Sequence, residues 1–353
     1  MSVLDTPVAV QRVKSHRVAE TFSRARELAI FAVILILFFG TAIKTPGFAN
    51  ITSVQQILTN SSLFILLAIG ETLVIVTRNV DLSVGSTLGM SAFLVGEYYT
   101  HTYSTSTFHS NGSVIVAFLI GIGVGAFCGA LIGLIVTVAK VPSLVVSLAA
   151  LYIIRGILNL IGTGVQIEPT VIPSSFQKIG YETWAGIPWI FIIPLIAALV
   201  IAFAMRSFRS MRELYAIGSN PVAAQLAGVP VGRRVFTSFL LSGSLAGLGG
   251  VLFASEFATV NATAGTGYEL LVIASCVVGG VAIFGGSGTV IGAGLGAILL
   301  QVINQALVVT NVSPFWDSAL AGALILVAVS IDRFVSNRAS LALRLKQGAT
   351  RVD

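Results

Sequence analysis

The chain has 353 residues, 56% of them hydrophobic and 10% charged, with a mean hydropathy of +0.96, whereas charged residues make up roughly a quarter of an ordinary soluble domain. This excludes a soluble globular protein and leaves an all-α polytopic membrane protein. The formal net charge of +6 does not indicate nucleic acid, because the basic residues flank apolar runs instead of clustering on a soluble face.

Residues 1–27 are polar and carry Arg12, Lys14, Arg17, Arg24 and Arg26, too long and too mixed in charge to open a cleaved signal peptide. They read as a cytoplasmic tail before a retained first span. Apolar segments able to cross a ~30 Å hydrocarbon layer, or nearly so, follow at about 28–45, 54–77, 84–100, 114–138, 144–162, 187–206, 234–254, 269–283, 289–309 and 315–334. The third and eighth are short enough to be broken or re-entrant. Ten spans place both termini on one side. With the N-terminus inside, the inner segments hold 17 of the 20 Lys and Arg residues, a strong positive-inside bias. The expected organisation is a cytoplasmic tail at 1–27, a membrane domain at 28–334 and a second cytoplasmic tail at 335–353.

Between the second and third segments, Asn79–Ser86 (NVDLSVGS) interrupts the apolar pattern, and Asp81 is placed to cap the helix that follows. A tight inner turn explains it; Asn79, Asp81, Ser83, Gly85 and Ser86 are also candidates for a translocation pathway. In the fourth segment Gly121, Gly125, Gly129 and Gly133 recur every four residues, a stripe that lets another helix approach closely. The fifth carries Arg155. A charge at the bilayer centre costs about 2.5–3.5 kcal/mol on insertion scales, so Arg155 needs a partner, a wet cavity or the outer interface. Glu71 is the candidate partner, although its depth differs; outward snorkelling is the alternative.

A stretch of different character, Arg212–Arg234, lies between the sixth and seventh spans, inside the inner loop 207–234. Asn220 is placed to cap a helix, Pro221 takes the first helical position, Val222–Ala227 form the body, Gly228 is the stop and Pro230 follows. A helix this short is marginal in water alone. Val222 and Leu226 share one face, and Ala223, Ala224 and Ala227 keep the rest slim, so the helix is shaped to enter a groove on a partner. The alternative is a linker helix lying on the bilayer surface.

Between Gly243 and Gly296 glycines are dense, including Gly279, Gly280, Gly285 and Gly286. They suit close helix crossings and locally unwound segments lining a pathway. No Lys-Ser or Lys-Thr follows Gly285-Gly286-Ser287-Gly288, which sets aside a phosphate loop. There is no zinc-protease motif, paired-cysteine motif or nucleophile elbow, and Cys128 and Cys276 sit inside apolar runs. No catalytic residue, metal site or cofactor is therefore expected. Deep ionisable groups are too few for a typical ion-driven carrier, so the energy source is expected in another chain.

The stretches NVDLSVGS at 79–86, KVPSLVVSLAALYIIRG at 140–156, LYAIGSNPVAAQLAGVPV at 214–231 and GYELLVIASCVVGGVAIFGGSGTVIGAGLGA at 267–297 resemble the permease subunit of ribose-type sugar importers of the ATP-binding-cassette (ABC) class. That group belongs with the branched-chain amino-acid permeases. The resemblance implies a bacterial inner-membrane location, pairing with a second copy or a sister permease, cytoplasmic ATPase subunits that bind ATP and Mg²⁺, and a periplasmic sugar-binding protein. It also implies that Asn220–Gly228 is the coupling helix, with Gly218 before it, Leu226 on it, and Ala223 and Ala224 seating in the ATPase cleft. The expected cargo is a small neutral sugar such as a pentose. A branched-chain amino acid, a nucleoside or a furanosyl signalling molecule are the alternatives within the class, and a stand-alone secondary carrier or channel is the alternative outside it.

Overall fold

The computed structural model describes residues 7–105, 112–313, 316, 319–327 and 330, with side chains from Ala25 onward. The described helices are α1 (Pro7–Lys44), α2 (Ile51–Ile75), α3 (Val84–Thr105), α4 (Val114–Val138), α5 (Ser143–Gly162), α6 (Ser174–Tyr181), α7 (Trp189–Ser207), α8 (Arg209–Ser219), α9 (Pro221–Leu226), α10 (Val231–Phe257), α11 (Tyr268–Val278) and α12 (Val290–Val309). A 3₁₀ turn (Pro169–Val171) precedes α6, and a small antiparallel hairpin pairs β1 (Thr183–Trp184) with β2 (Ile187–Pro188).

Among the described residues seven helices are long and apolar enough to cross a membrane, and they divide into two shells. The most apolar stretches of α2, α10 and α12 are 83%, 61% and 56% buried, whereas those of α1, α4, α5 and α7 are only 11–28% buried. The outer shell exposes Ile115, Leu119, Phe127, Leu160 and Phe203. Such faces are stable only against hydrocarbon, so the chain is a multi-pass membrane protein.

The expected third segment proves to be one unbroken helix, α3, not a broken one. It lies outside the set of seven because it carries many hydroxyls and glycines, and it can do so because other helices sheathe it. Val84–Phe93 is buried throughout. Ser91 Oγ donates to Gly247 O at 2.7 Å and Ser86 Oγ to Ser83 O at 2.9 Å, so its hydroxyls are satisfied without water. The glycine stripe of α4 meets α10. A β-carbon at Gly125 would collide with the carbonyl of Gly243, and one at Gly247 with the carbonyl of Gly121. Backbone-to-backbone approach at that crossing requires glycine on both helices.

The eighth segment, short enough by sequence to be broken or re-entrant, is indeed broken. Its only helix is α11, 11 residues long, or about 16 Å at 1.5 Å per residue, half of what a span needs. The ring of Tyr268 at its start lies 4.7 Å from that of Phe64, which is midway along α2. The chain therefore reaches mid-depth through irregular backbone at 258–267 and leaves through a loop at 279–289. Further corrections are smaller. The tail expected at 1–27 is helical from Pro7 and continuous with the first span, and α6, α8 and the hairpin are elements the apolar pattern did not mark. The tenth segment, 315–334, is described only in part, and the tail at 335–353 lies outside the described residues.

Candidate functional site

The short capped helix forms as its punctuation requires. Asn220 is extended and its side chain accepts from the backbone N–H of Ala223 at 3.1 Å, Pro221 opens α9, and Gly228 adopts φ +79°. In that left-handed conformation a side chain would be strained. On the surface of α9 Val222 is 68% and Leu226 85% exposed. Ala223 is exposed as well. Ala224 is not: at 5% exposure it packs with Ile217, Val235, Phe239 and Val74. Of the two residues expected to seat in the ATPase cleft, Ala223 therefore lies on the open face and Ala224 on the inner one, because one side of so thin a helix must rest on the body that holds it.

That body is α8, whose amphipathic pattern buries Glu213, Leu214, Ile217 and Gly218. Gly218 touches two other segments at once. A β-carbon there would collide with the carbonyl of Val76 and with the backbone N of Gly286. Gly286 N donates to Val76 O at 2.9 Å, and Tyr215 on α8 donates its hydroxyl to Gly288 O at 2.9 Å. Arg78, at φ +66°, donates through its guanidinium to the carbonyls of Gly218 and Ser219, the last residues of α8. Gly285 (φ +79°) packs against Arg78 and Gly286 (φ +80°) against Ser219. Three segments distant in sequence thus form one knot: the turn at 76–79, the end of α8 and the 279–289 loop. A fourth joins them, since Arg26 of α1 donates to Gly280 O at 3.1 Å and Glu27 accepts from Thr289 Oγ1 at 2.6 Å.

Glu213 fastens α8 to α10. Its carboxylate accepts from Arg234 Nε at 2.6 Å and from Arg209 Nε at 3.0 Å. The Arg234 hydrogen bond is the main cause, with Arg209 adding to it, that holds the carboxyl below its usual value. Well above the ordinary glutamate value of ~4.3 the carboxylate is charged folded or unfolded, and the clamp contributes in full. As pH falls the unfolded chain takes up the proton first, and the contribution fades until pH drops below the lowered folded value. Arg209 is 84% exposed and adds little, so Glu213→Gln should loosen α8 and α9 by about 1–2 kcal/mol near neutral pH. Amide exchange in residues 209–226 of the variant should then run several-fold faster than in the parent at pH 7, with the gap closing below pH 4. Equal exchange at pH 7 would remove the clamp. Sequence reading passed over these residues because arginines at span ends were counted only for topology. A usable signal was present: Glu213 is the one acid among the basic residues of 206–234.

Of the residues proposed to line a pathway, Asp81, Ser83, Gly85, Ser86, Gly279 and Gly280 are buried, and Asn79, Arg155, Gly285 and Gly286 are half-buried. Asp81, Ser83 and Ser86 are at most 1% exposed. Asp81 Oδ1 accepts from Ser83 N at 2.9 Å and Ser83 Oγ at 2.6 Å, and Asp81 N donates to Glu71 at 3.0 Å. Asn79 bonds the hydroxyl of Thr77 at 2.9 Å. Gly85 abuts Gly265, Gly279 lies against Gly292 and Ala293, and Gly280 lies against Arg26. Arg155 does not pair with Glu71. It donates from Nη1 to the carbonyls of Ala262 at 3.0 Å and Ala264 at 2.7 Å, so it supplies donors to the irregular 258–267 backbone.

Residues 53–329 match the family model described as branched-chain amino acid transport system / permease component. The chain is 34% identical to the autoinducer 2 import system permease protein LsrC of Enterobacter sp. (strain 638), over 94% of this chain and 91% of that one. It is 33% identical to the LsrC proteins of Klebsiella pneumoniae (89% of this chain, 88% of that one) and Photorhabdus laumondii (87% and 89%). No solved structure matches it. With a match over most of its length and a multi-pass helical body, this chain belongs to the branched-chain amino acid transport system permease family, as an inner-membrane transport component.

Proposed function

We propose that the chain is the permease subunit of an ABC importer that moves a small neutral polyhydroxylated solute inward, driven by ATP and Mg²⁺ bound in a separate ATPase and supplied by a periplasmic binding protein. The carrying observation is the geometry of α9, a helix too short to stand alone, which offers Val222 and Leu226 to solvent while α8 ties it to three other segments. Force applied at Leu226 is transmitted through α8 to the turn at 76–79 and to the loop that separates α11 from α12. On this reading the face bearing α8 and α9 is cytoplasmic, ten membrane segments leave both termini on that side, and residues 28–334 form the permease domain between the two tails. A second permease completes the translocation unit. Relatives named as autoinducer import permeases favour a furanosyl signalling molecule over a simple pentose.

The decisive measurement is the intact mass of the complex released by gentle extraction from the native membrane. Two permease chains with ATPase subunits are expected. A particle without an ATPase that takes up solute on an ion gradient would overturn the importer reading in favour of a secondary carrier.

A further inference from the structure

A cavity of about 180 Å³ lies among α2, α10, α11 and α12, in the half of the membrane opposite α9. Its polar lining comes from all four helices: Asn60, Glu256, Tyr268, Gln301 and Asn304, with Phe64 beside Tyr268. By helical rise Asn60 and Asn304 sit roughly 14 Å and 8 Å below the nearer ends of α2 and α12. Three amides, a phenol and a carboxyl converging at that depth are costly unless something polar meets them. Glu256 shows the mismatch most sharply, since its Oε2 is buried and has no hydrogen-bond partner among the described residues. Its backbone cannot move aside, because a β-carbon on Gly180 of α6 would lie 2.6 Å from Glu256 Cα, and Ser255 Oγ donates to Phe176 O at 2.7 Å.

We infer that this cavity is a transit site for one uncharged, polyhydroxylated ring. Its volume corresponds to about six waters at ~30 Å³ each, which a single monosaccharide-sized ring would displace. Amides both donate to and accept from hydroxyls, and the carboxyl of Glu256 can do the same. The tilted pair of Phe64 and Tyr268, with ring centroids 4.7 Å apart, gives the apolar C–H face of such a ring a wall. Among the described residues no Lys or Arg lines the space, so a carboxylate or phosphate would enter without a counter-charge. An amino acid is disfavoured for that reason. This inference rests on the importer reading and names where its cargo passes.

The test uses the full importer in vesicles, with Asn304→Cys introduced after Cys128 and Cys276 are changed to serine. A small polar thiol reagent should modify Cys at 304. D-ribose or another neutral monosaccharide at millimolar concentration should slow that reaction at least 5-fold, while L-leucine and choline should not. In parallel, Glu256→Gln should raise the KM for sugar uptake by roughly 2–12-fold, the range expected for one weakened hydrogen bond, with the complex still assembled. A thiol that never reacts, equal modification with and without neutral sugars, or protection by leucine or choline would overturn the site. So would unchanged KM in Glu256→Gln. In each of those cases continued ATP-driven uptake leaves the importer reading intact, whereas loss of the ATPase from the parent complex would point to failure of that reading itself.

Discussion

Leu226→Arg should leave folding and membrane insertion unchanged and abolish ATP-coupled uptake. The leucine is 85% exposed, so its replacement removes almost no internal packing, and a surface change of this kind shifts stability by no more than about 0.5 kcal/mol. At a docking contact the same change acts twice. It withdraws an apolar anchor, and it brings a guanidinium into a groove with no partner for it. A hot-spot anchor at an interface costs 2 kcal/mol or more when removed, about 30-fold in affinity, and an unpaired buried charge adds to that. Coupled uptake and ATPase co-purification should therefore fall together by at least 30-fold at unchanged permease abundance. Val222→Arg, one turn away and 68% exposed, should behave the same way. Normal uptake in both variants would show that α9 lies on the membrane surface and transmits nothing.

Arg155→Met should have the largest effect on the permease itself. The substitution keeps a long, unbranched side chain and removes the donors that hold the carbonyls of Ala262 and Ala264. A buried carbonyl left unpaired costs about 1–3 kcal/mol, so two cost at most about 2–6 kcal/mol, a large share of a marginal stability of 5–15 kcal/mol. The loss falls on the 258–267 segment, which leads into the first turn of α11. Thermal unfolding in detergent should begin several degrees lower, and protease should cut within 258–267 before the rest of the chain. Arg155→Lys should recover part of the loss, since one ammonium can reach one carbonyl but lacks the planar fork. If Arg155→Met melted like the parent, the carbonyls would have other donors and the peg would be dispensable.

Hydropathy and punctuation made much of this chain legible. The outer helices α1, α4, α5 and α7 face hydrocarbon, so apolar length alone marks them. The cap at Asn220, the proline after it and the stop at Gly228 are local backbone chemistry, and α9 forms where they specify. The membrane class, the spacing of most spans and the small helix are thus written in residues that act on their immediate neighbours or on bulk solvent.

Other features depend on what comes from elsewhere in the chain. Whether α3 could cross the membrane with its serines and glycines depended on being sheathed by other helices, which no window of its own residues reports. Arg155 finds its partners more than 100 residues away, in backbone carbonyls, and a carbonyl leaves no trace in side-chain pattern. Gly218, Gly285 and Gly286 read as pathway or coupling glycines, but their role is set by contact among three distant segments. The polar cavity draws on four helices, each contributing one or two residues that look ordinary in its own stretch. Local periodicity and solvent preference are properties of sequence; the satisfaction of buried polar groups is a property of the assembled fold, because each donor must find its acceptor in space.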